Sequence, residues 1–278
     1  MLYHEHRPVQ ALGRFVECFW FAEGDGRNAP IETIVPDGCP ELILQFGEPF
    51  RQWRPSGAER QPTAFLVGEM TRALRVQPGG RVDTMGIRFR PAGLRAFLRT
   101  PLHELTDRAT PIDALWGRAA STFEEAVAEA QGAAARVRLA EAFLLGCLGN
   151  GPARDPVVEG AVGRILRERG QVRLAVLGAA AGLSERQLER RFRTAVGLGP
   201  KALSRLVRFQ EVLRRLGGGE GAPLVEVALD CGYFDQSHLV HDFRELAGAA
   251  PTQYLGAESD LARRFADPSR LDRFFAQP

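Results

Sequence analysis

The sequence predicts an α+β protein of two domains: a β-rich half over residues 1–150 and an all-α half over residues 151–278. Three observations predict it. Short runs of aromatic and branched residues, separated by Gly and Pro, fill the first ~90 residues. The helix breakers Gly149-Asn150-Gly151-Pro152 cluster at one point and mark a linker. Past that point the pattern is helical and a nine-residue frame occurs twice. A length of 278 residues agrees with two units, since single domains usually run ~100–200 residues.

The strand candidates are residues 15–21, 41–46, 64–68 and 85–89. Between them stand Val35-Pro36-Asp37-Gly38-Cys39-Pro40 and Gln77-Pro78-Gly79-Gly80. Short strands at this spacing suggest a cupin-like barrel or a sandwich. From Pro91 the pattern turns helical, first over 92–100 and then over one stretch, 122–148. Val127, Leu139, Phe143 and Leu144 give that stretch an apolar side, which either packs on its own domain or pairs with a second subunit. The polar tail from Ala257 reads as one last helix with a loose end.

The totals exclude several classes. The chain is 45% hydrophobic and 25% charged, which fits a folded rather than a disordered protein. No window approaches the ~20 apolar residues of a membrane span, and the start lacks a signal-peptide core, so a cytoplasmic location is expected. Cys18, Cys39, Cys147 and Cys231 form no CxxC pair, which argues against a structural zinc site or a disulfide framework. The net charge of +2 hides a lopsided basic set: Lys201 is the sole lysine and the other 35 basic residues are arginine. Arginine is the better fork for phosphate and for base edges.

Residues 192–200 (FRTAVGLGP) and 243–251 (FRELAGAAP) share the frame F-R-x-x-x-G-x-x-P, 51 residues apart. Leu188 and Leu239 stand four residues before each Phe, and an apolar helix ending in Gly precedes each copy, at 174–182 and 224–232. Each unit reads as helix–turn–helix, over about 172–197 and 223–248. In the first, Gly182 permits the turn and Ser184 caps the next helix. Leu188, Phe192, Ala195 and Val196 face a core, while Arg186, Glu189, Arg190 and Arg193 share the opposite face. In the second, Asp235 is the N-cap and Leu239, Phe243 and Leu246 face inward. Gln236, Ser237, Val240, His241 and Arg244 point outward, with His238 at the flank. A major-groove reading helix needs that division. Arg reaches guanine edges, Glu accepts from cytosine, Gln pairs with adenine and Val meets a thymine methyl. Between the copies, 200–216 predicts one helix of about 25 Å, compatible with two reading heads on one face of a duplex.

The run Gly232-Tyr233-x-x-x-Ser237-x-Leu239-x-x-x-Phe243-Arg244-x-x-x-Gly248-x-x-Pro251-x-x-Tyr254 closely resembles the AraC-type DNA-binding domain, over about 156–255 of this chain. Upstream, Val35-Pro36-Asp37-Gly38-Cys39 and Arg88-Phe89-Arg90-Pro91 resemble the β-rich sensor half of a subset of AraC/XylS regulators. The resemblance implies a transcription regulator, activator or repressor, that reads two successive major-groove half-sites of double-stranded DNA. Its N-terminal domain would sense a small-molecule effector or form a homodimer, and contact with RNA polymerase is compatible with it. No catalytic residue, metal or cofactor is implied. Base contacts carry over to Arg186, Gln187, Glu189 and Arg190, and to Gln236, Ser237, His238, Val240 and His241. Arg193, Arg244 and the basic residues of the linking helix suit phosphate, which positions without specifying. Residues 160–216 carry a net charge of +9 and residues 217–260 one of −7. A duplex repels the second segment unless its acids face away, so the first unit is expected to supply most of the affinity.

Two rival readings use the N-terminal half. A cupin-like metal enzyme fused to the DNA-binding domain would draw on His4, His6, Cys18 and Cys39, yet it lacks a downstream Glu and His, and the histidines sit at a terminus. A redox- or alkylation-sensing regulator would use Cys18 or Cys39, although Cys usually packs as a small buried hydrophobe. Phe19, Trp20, Phe21, Trp53 and Met85 either fill a core or wall an effector pocket. Trp20, Cys39, Trp53 and Met85 are the candidates for effector contact.

Overall fold

The computed structural model describes residues 1–217 and 222–256. Ten strands come first: β1 (Leu2–His6), β2 (Val16–Asp25), β3 (Glu32–Ile34), β4 (Glu41–Gln45), β5 (Arg51–Arg54), β6 (Gly57–Arg60), β7 (Ala64–Val67), β8 (Leu74–Gln77), β9 (Arg81–Phe89) and β10 (Ala109–Pro111). Six form one antiparallel sheet in the order β1-β2-β9-β4-β7-β10, and four form a second, β3-β8-β5-β6. The strands that sequence reasoning passed over are the short and polar ones, such as β5 (RQWR) and β6 (GAER), whose composition looks like loop. Strand β1 is among them. It pairs with β2 in the register His6↔Phe19, so His4 and His6 lie on an edge strand and not on a loose terminus.

Alternation along the strands of the larger sheet sets two faces. Phe19 and Phe21 of β2, Leu42 and Leu44 of β4, and Met85, Ile87 and Phe89 of β9 share one core with three helices. These are α1 (Ile112–Trp116), α2 (Arg118–Glu129) and α3 (Ala133–Cys147). The stretch expected as one helix over 122–148 is therefore two. Gly132, at φ +77°, breaks it where a residue with a side chain would resist the turn. Val127 and Leu144 are buried in the core beside Phe19, so the apolar side packs on its own domain. Residues 92–100, also expected as helix, make only a single 3-10 turn over Gly93–Ala96.

Among the described residues the second half has helices as its only regular elements: α4 (Pro156–Arg167), α5 (Leu174–Ala181), α6 (Glu185–Ala195), α7 (Pro200–Gly217), α8 (Leu224–Asp230), α9 (Gln236–Ala247) and α10 (Pro251–Leu255). Leu188 and Phe192 of α6, Leu203 and Phe209 of α7, and Leu239 and Phe243 of α9 meet in one core. The rings of Phe209 and Phe243 lie 5.0 Å apart, edge to face. Val35 and Cys39, from the loop between β3 and β4, join that core. Among the described residues no helix is long and apolar enough to cross a membrane. The tail from Ala257, expected to be helical, lies outside the described residues.

Candidate nucleic-acid interface and effector cavity

Helix α6 starts on a capping box. The backbone N–H of Gln187 donates to the Ser184 hydroxyl oxygen at 3.3 Å, while Gln187 Oε1 accepts from the Ser184 N–H at 2.9 Å. Gly182 just ahead takes the left-handed conformation, φ +62°. With Leu188, Phe192 and Ala195 facing the core, Arg186, Gln187, Glu189, Arg190 and Arg193 are all exposed. Two of these have local duties. The Gln187 oxygen serves the cap, and the Glu189 carboxylate packs over Gly199 at the start of α7, where a helix N-terminus favours negative charge.

Helix α9 is built likewise. Asp235 Oδ1 accepts from the His238 N–H at 2.7 Å, and Gly232, φ +77°, makes the turn. Gln236, Ser237, His238, His241 and Arg244 are exposed and Val240 is half-buried. His238 Nδ1 accepts from the Phe234 N–H at 3.4 Å and its ring sits edge-on to Tyr233, so this histidine braces the turn.

The opposed charges of the two segments meet across α7. Arg205 donates to Asp242 at 2.9 Å and also pairs with Glu245, while Arg215 pairs with Asp230 at 2.7 Å. Glu211, 1% exposed, lies among Arg169, Arg214 and Arg215. Burial alone would push its carboxyl up; hydrogen bonds from Arg214 and Arg215, with the charge of Arg169, outweigh that and hold it below the ordinary value. Arg205, Arg214 and Arg215, expected to suit phosphate, are thus engaged within the protein. Asp230, Asp242 and Glu245 of the second unit thus meet arginines of the linking helix, while Glu226 and the N-cap Asp235 stay exposed. His241, Asp242 and Glu245 could gather a metal by distance, but Arg205 already neutralises both carboxylates.

A cavity of about 390 Å³ lies between the two sheets. The larger sheet contributes the face opposite its helical core, including Trp20, Glu41, Ile43 and Phe65; the smaller one contributes Leu74 and Val76. The Trp20 indole lies on Gly86, its register partner, where a Cβ would overlap the ring. Of the four nominated effector residues, Trp20 and Cys39 line this cavity. Met85 lies on the helix side of β9, fully buried, and the half-buried Trp53 of β5 donates from Nε1 to Gln77 at 3.2 Å outside the lining. Sequence reasoning missed Glu41 and Gln45. Alternation against the apolar Leu42 and Leu44 places them on the cavity side.

Beside the cavity the two halves of the chain interlock. Arg88, 3% exposed, donates to Glu17 at 3.0 Å, to Asp37 at 2.8 Å and to Glu41 at 2.8 Å. Asp37 Oδ1 accepts from the Cys39 N–H and so shapes the loop that follows β3. From that loop the Pro36 carbonyl accepts a 2.6 Å bond from Gln210 Nε2 of α7. Thr106 donates to the Gly197 carbonyl in the α6–α7 turn, and the side chain of Glu69 packs against Gly197. Neither oxygen of Glu69 has a hydrogen-bond partner among the described residues, and burial together with the nearby Asp37 pushes its carboxyl well up. Burial also pushes the Cys18 and Cys39 thiols up, which leaves little thiolate for oxidation or alkylation.

Two helix–turn–helix units sharing one buried helix, each with an exposed polar face, define a DNA-binding transcription regulator. Residues 177–257, in the helical half behind the β-rich domain, match the family described as "Helix-turn-helix domain". Residues 4–111 match a family described as "Domain of unknown function (DUF6597)". No curated protein matches. Solved structures of ToxT from Vibrio cholerae overlap the chain. One is 10% identical, with a TM-score of 0.47, over 84% of this chain and 97% of that one. A second, described as bound to (E)-4-(8-methylnaphthalen-1-yl)but-3-enoic acid, is 11% identical, with a TM-score of 0.46, over 84% and 98%. A third, described as unsaturated fatty acid bound, is 8% identical, with a TM-score of 0.43, over 84% and 94%.

Proposed function

We propose that the chain is a sequence-specific regulator whose β sandwich takes a small-molecule effector and passes its state to the reading helices. One observation carries the link. The loop holding Asp37 and Cys39 walls the cavity, and its Pro36 carbonyl holds Gln210 of α7, the helix both reading units share. Arg186 and Arg190 are assigned to base edges of the first half-site, and Arg193 and Arg244 to phosphate. Gln236, Ser237, Val240 and His241 are assigned to the second half-site. Gln187, Glu189 and His238 keep a reduced share, since each also supports its own helix or turn.

Arg190→Ala is expected to weaken binding to a selected site by about 1–3 kcal/mol while leaving random DNA less affected. Titration of both duplexes at several salt concentrations checks this. Equal loss on both, with a shallower salt slope, would reassign Arg190 to phosphate.

A further inference from the structure

The charge on the cavity wall narrows the class of effector, given the reading above that the cavity is an effector site. Glu5, Asp37 and Glu41 line it, and no lysine or arginine does. The guanidinium behind that wall, Arg88, is divided among Glu17, Asp37 and Glu41. Three carboxylates around one cation leave a formal excess of two negative charges beside a largely apolar space. The remaining wall offers ring faces: Tyr3 and Trp20 stack with centroids 6.1 Å apart, and Phe50 and Phe65 stand in the same lining. The other titratable groups of the lining are His4, stacked on Phe21 at 5.1 Å, the Tyr3 hydroxyl, the Cys39 thiol and the Met1 amino group, whose one positive charge stands against the carboxylates of Glu5, Asp37 and Glu41.

Aromatic faces and carboxylates attract an organic cation from two directions. An anionic ligand would lose its hydration against like charge. We propose that the effector is a lipophilic organic cation, an amine or ammonium group on an apolar body, with its charged end toward Asp37 and Glu41 and its body along Trp20. A cavity of about 390 Å³ falls in the range of small-molecule sites. The cation would also offset the excess charge on the loop that holds Gln210.

Calorimetric titration of the full chain with decylamine, 1-decanol and decanoate, below their aggregation concentrations at pH 7, tests this. The three share one apolar body and differ in charge. Decylamine is expected to bind about tenfold or more tighter than decanol, with decanoate weakest. Decanoate or decanol matching decylamine overturns the cation class and leaves the effector cavity standing. No binding by any of the three overturns the cavity reading itself, and this proposal with it. Glu5 sits exposed on an edge strand and accepts from the Tyr3 hydroxyl at 2.9 Å, a bond that a glutamine amide oxygen can still accept, so Glu5→Gln is expected to keep the fold. That variant is expected to weaken decylamine about threefold with decanol unchanged, and equal weakening of both counts against the proposal.

Discussion

Arg88→Met is expected to destabilise the protein by about 3–5 kcal/mol at neutral pH, the effect of removing one partner from a buried ion-pair network. Methionine matches much of the arginine stem, so the loss comes mainly from charge. Without the guanidinium, Glu17, Asp37 and Glu41 face one another in a site where Arg88 itself is 3% exposed. Protonation is their way out. The deficit should therefore shrink as pH falls toward the carboxylate range. Denaturant unfolding of both proteins at pH 7 and pH 5 measures it. A deficit that stays constant between the two would assign the loss to packing. The loop holding Pro36 hangs on the same network, so the variant should also loosen the contact with Gln210.

Glu69→Gln is expected to flatten the pH dependence of stability. In the folded chain burial raises the Glu69 carboxyl well above its ordinary 4.5, whereas in the unfolded chain it titrates near that value. Above the unfolded value the folded state holds a proton that the unfolded state has lost. Stability from this group is complete below the ordinary value and falls with rising pH until the raised value is passed. The slope is about 1.4 kcal/mol per pH unit for one proton. Glutamine titrates nowhere in this window, so wild type should lose ground to the variant between pH 5 and pH 7, as unfolding midpoints would report. Parallel curves would mean that Glu69 is ionised in the folded protein. Glu69 packs against Gly197 in the α6–α7 turn, so its ionisation would strain the seam between the sandwich and the first reading unit.

The helical half was legible because its signals are local. A repeated frame, two caps and two turn glycines fix α5–α6 and α8–α9 with no knowledge of distant contacts, and Ser184, Gly182, Asp235 and Gly232 act in the structure as their chemistry suggests. The sandwich was harder. Its apolar strands are visible, but β1, β5 and β6 are polar edge or near-edge segments that exist through pairing rather than propensity. The cavity residues divide the same way. Trp20 alternates with the core residues Phe19 and Phe21 and so points to the other face, a parity visible in the sequence. The same parity sets Met85 with Ile87 and Phe89 against the helices, and weighing aromatic and sulfur content above parity misplaced it. Nothing in the sequence pairs Arg88 with Glu17 and Asp37, or Arg205 with Asp242, because those partners are brought together only by the fold.

The ion pairs around α7 bear on how a target site must be written. Arg205 grips Asp242 and Glu245 of α9, Arg215 grips Asp230 at the end of α8, and Phe209 is packed into Phe243. On the proposed function, these contacts tie the second reading head to the first and restrict its freedom to find a groove of its own. The duplex would then have to supply the match by phase and curvature. Half-sites displaced by half a helical turn would present one head with a backbone ridge, so spacer length should be as strict a part of the operator's grammar as its bases.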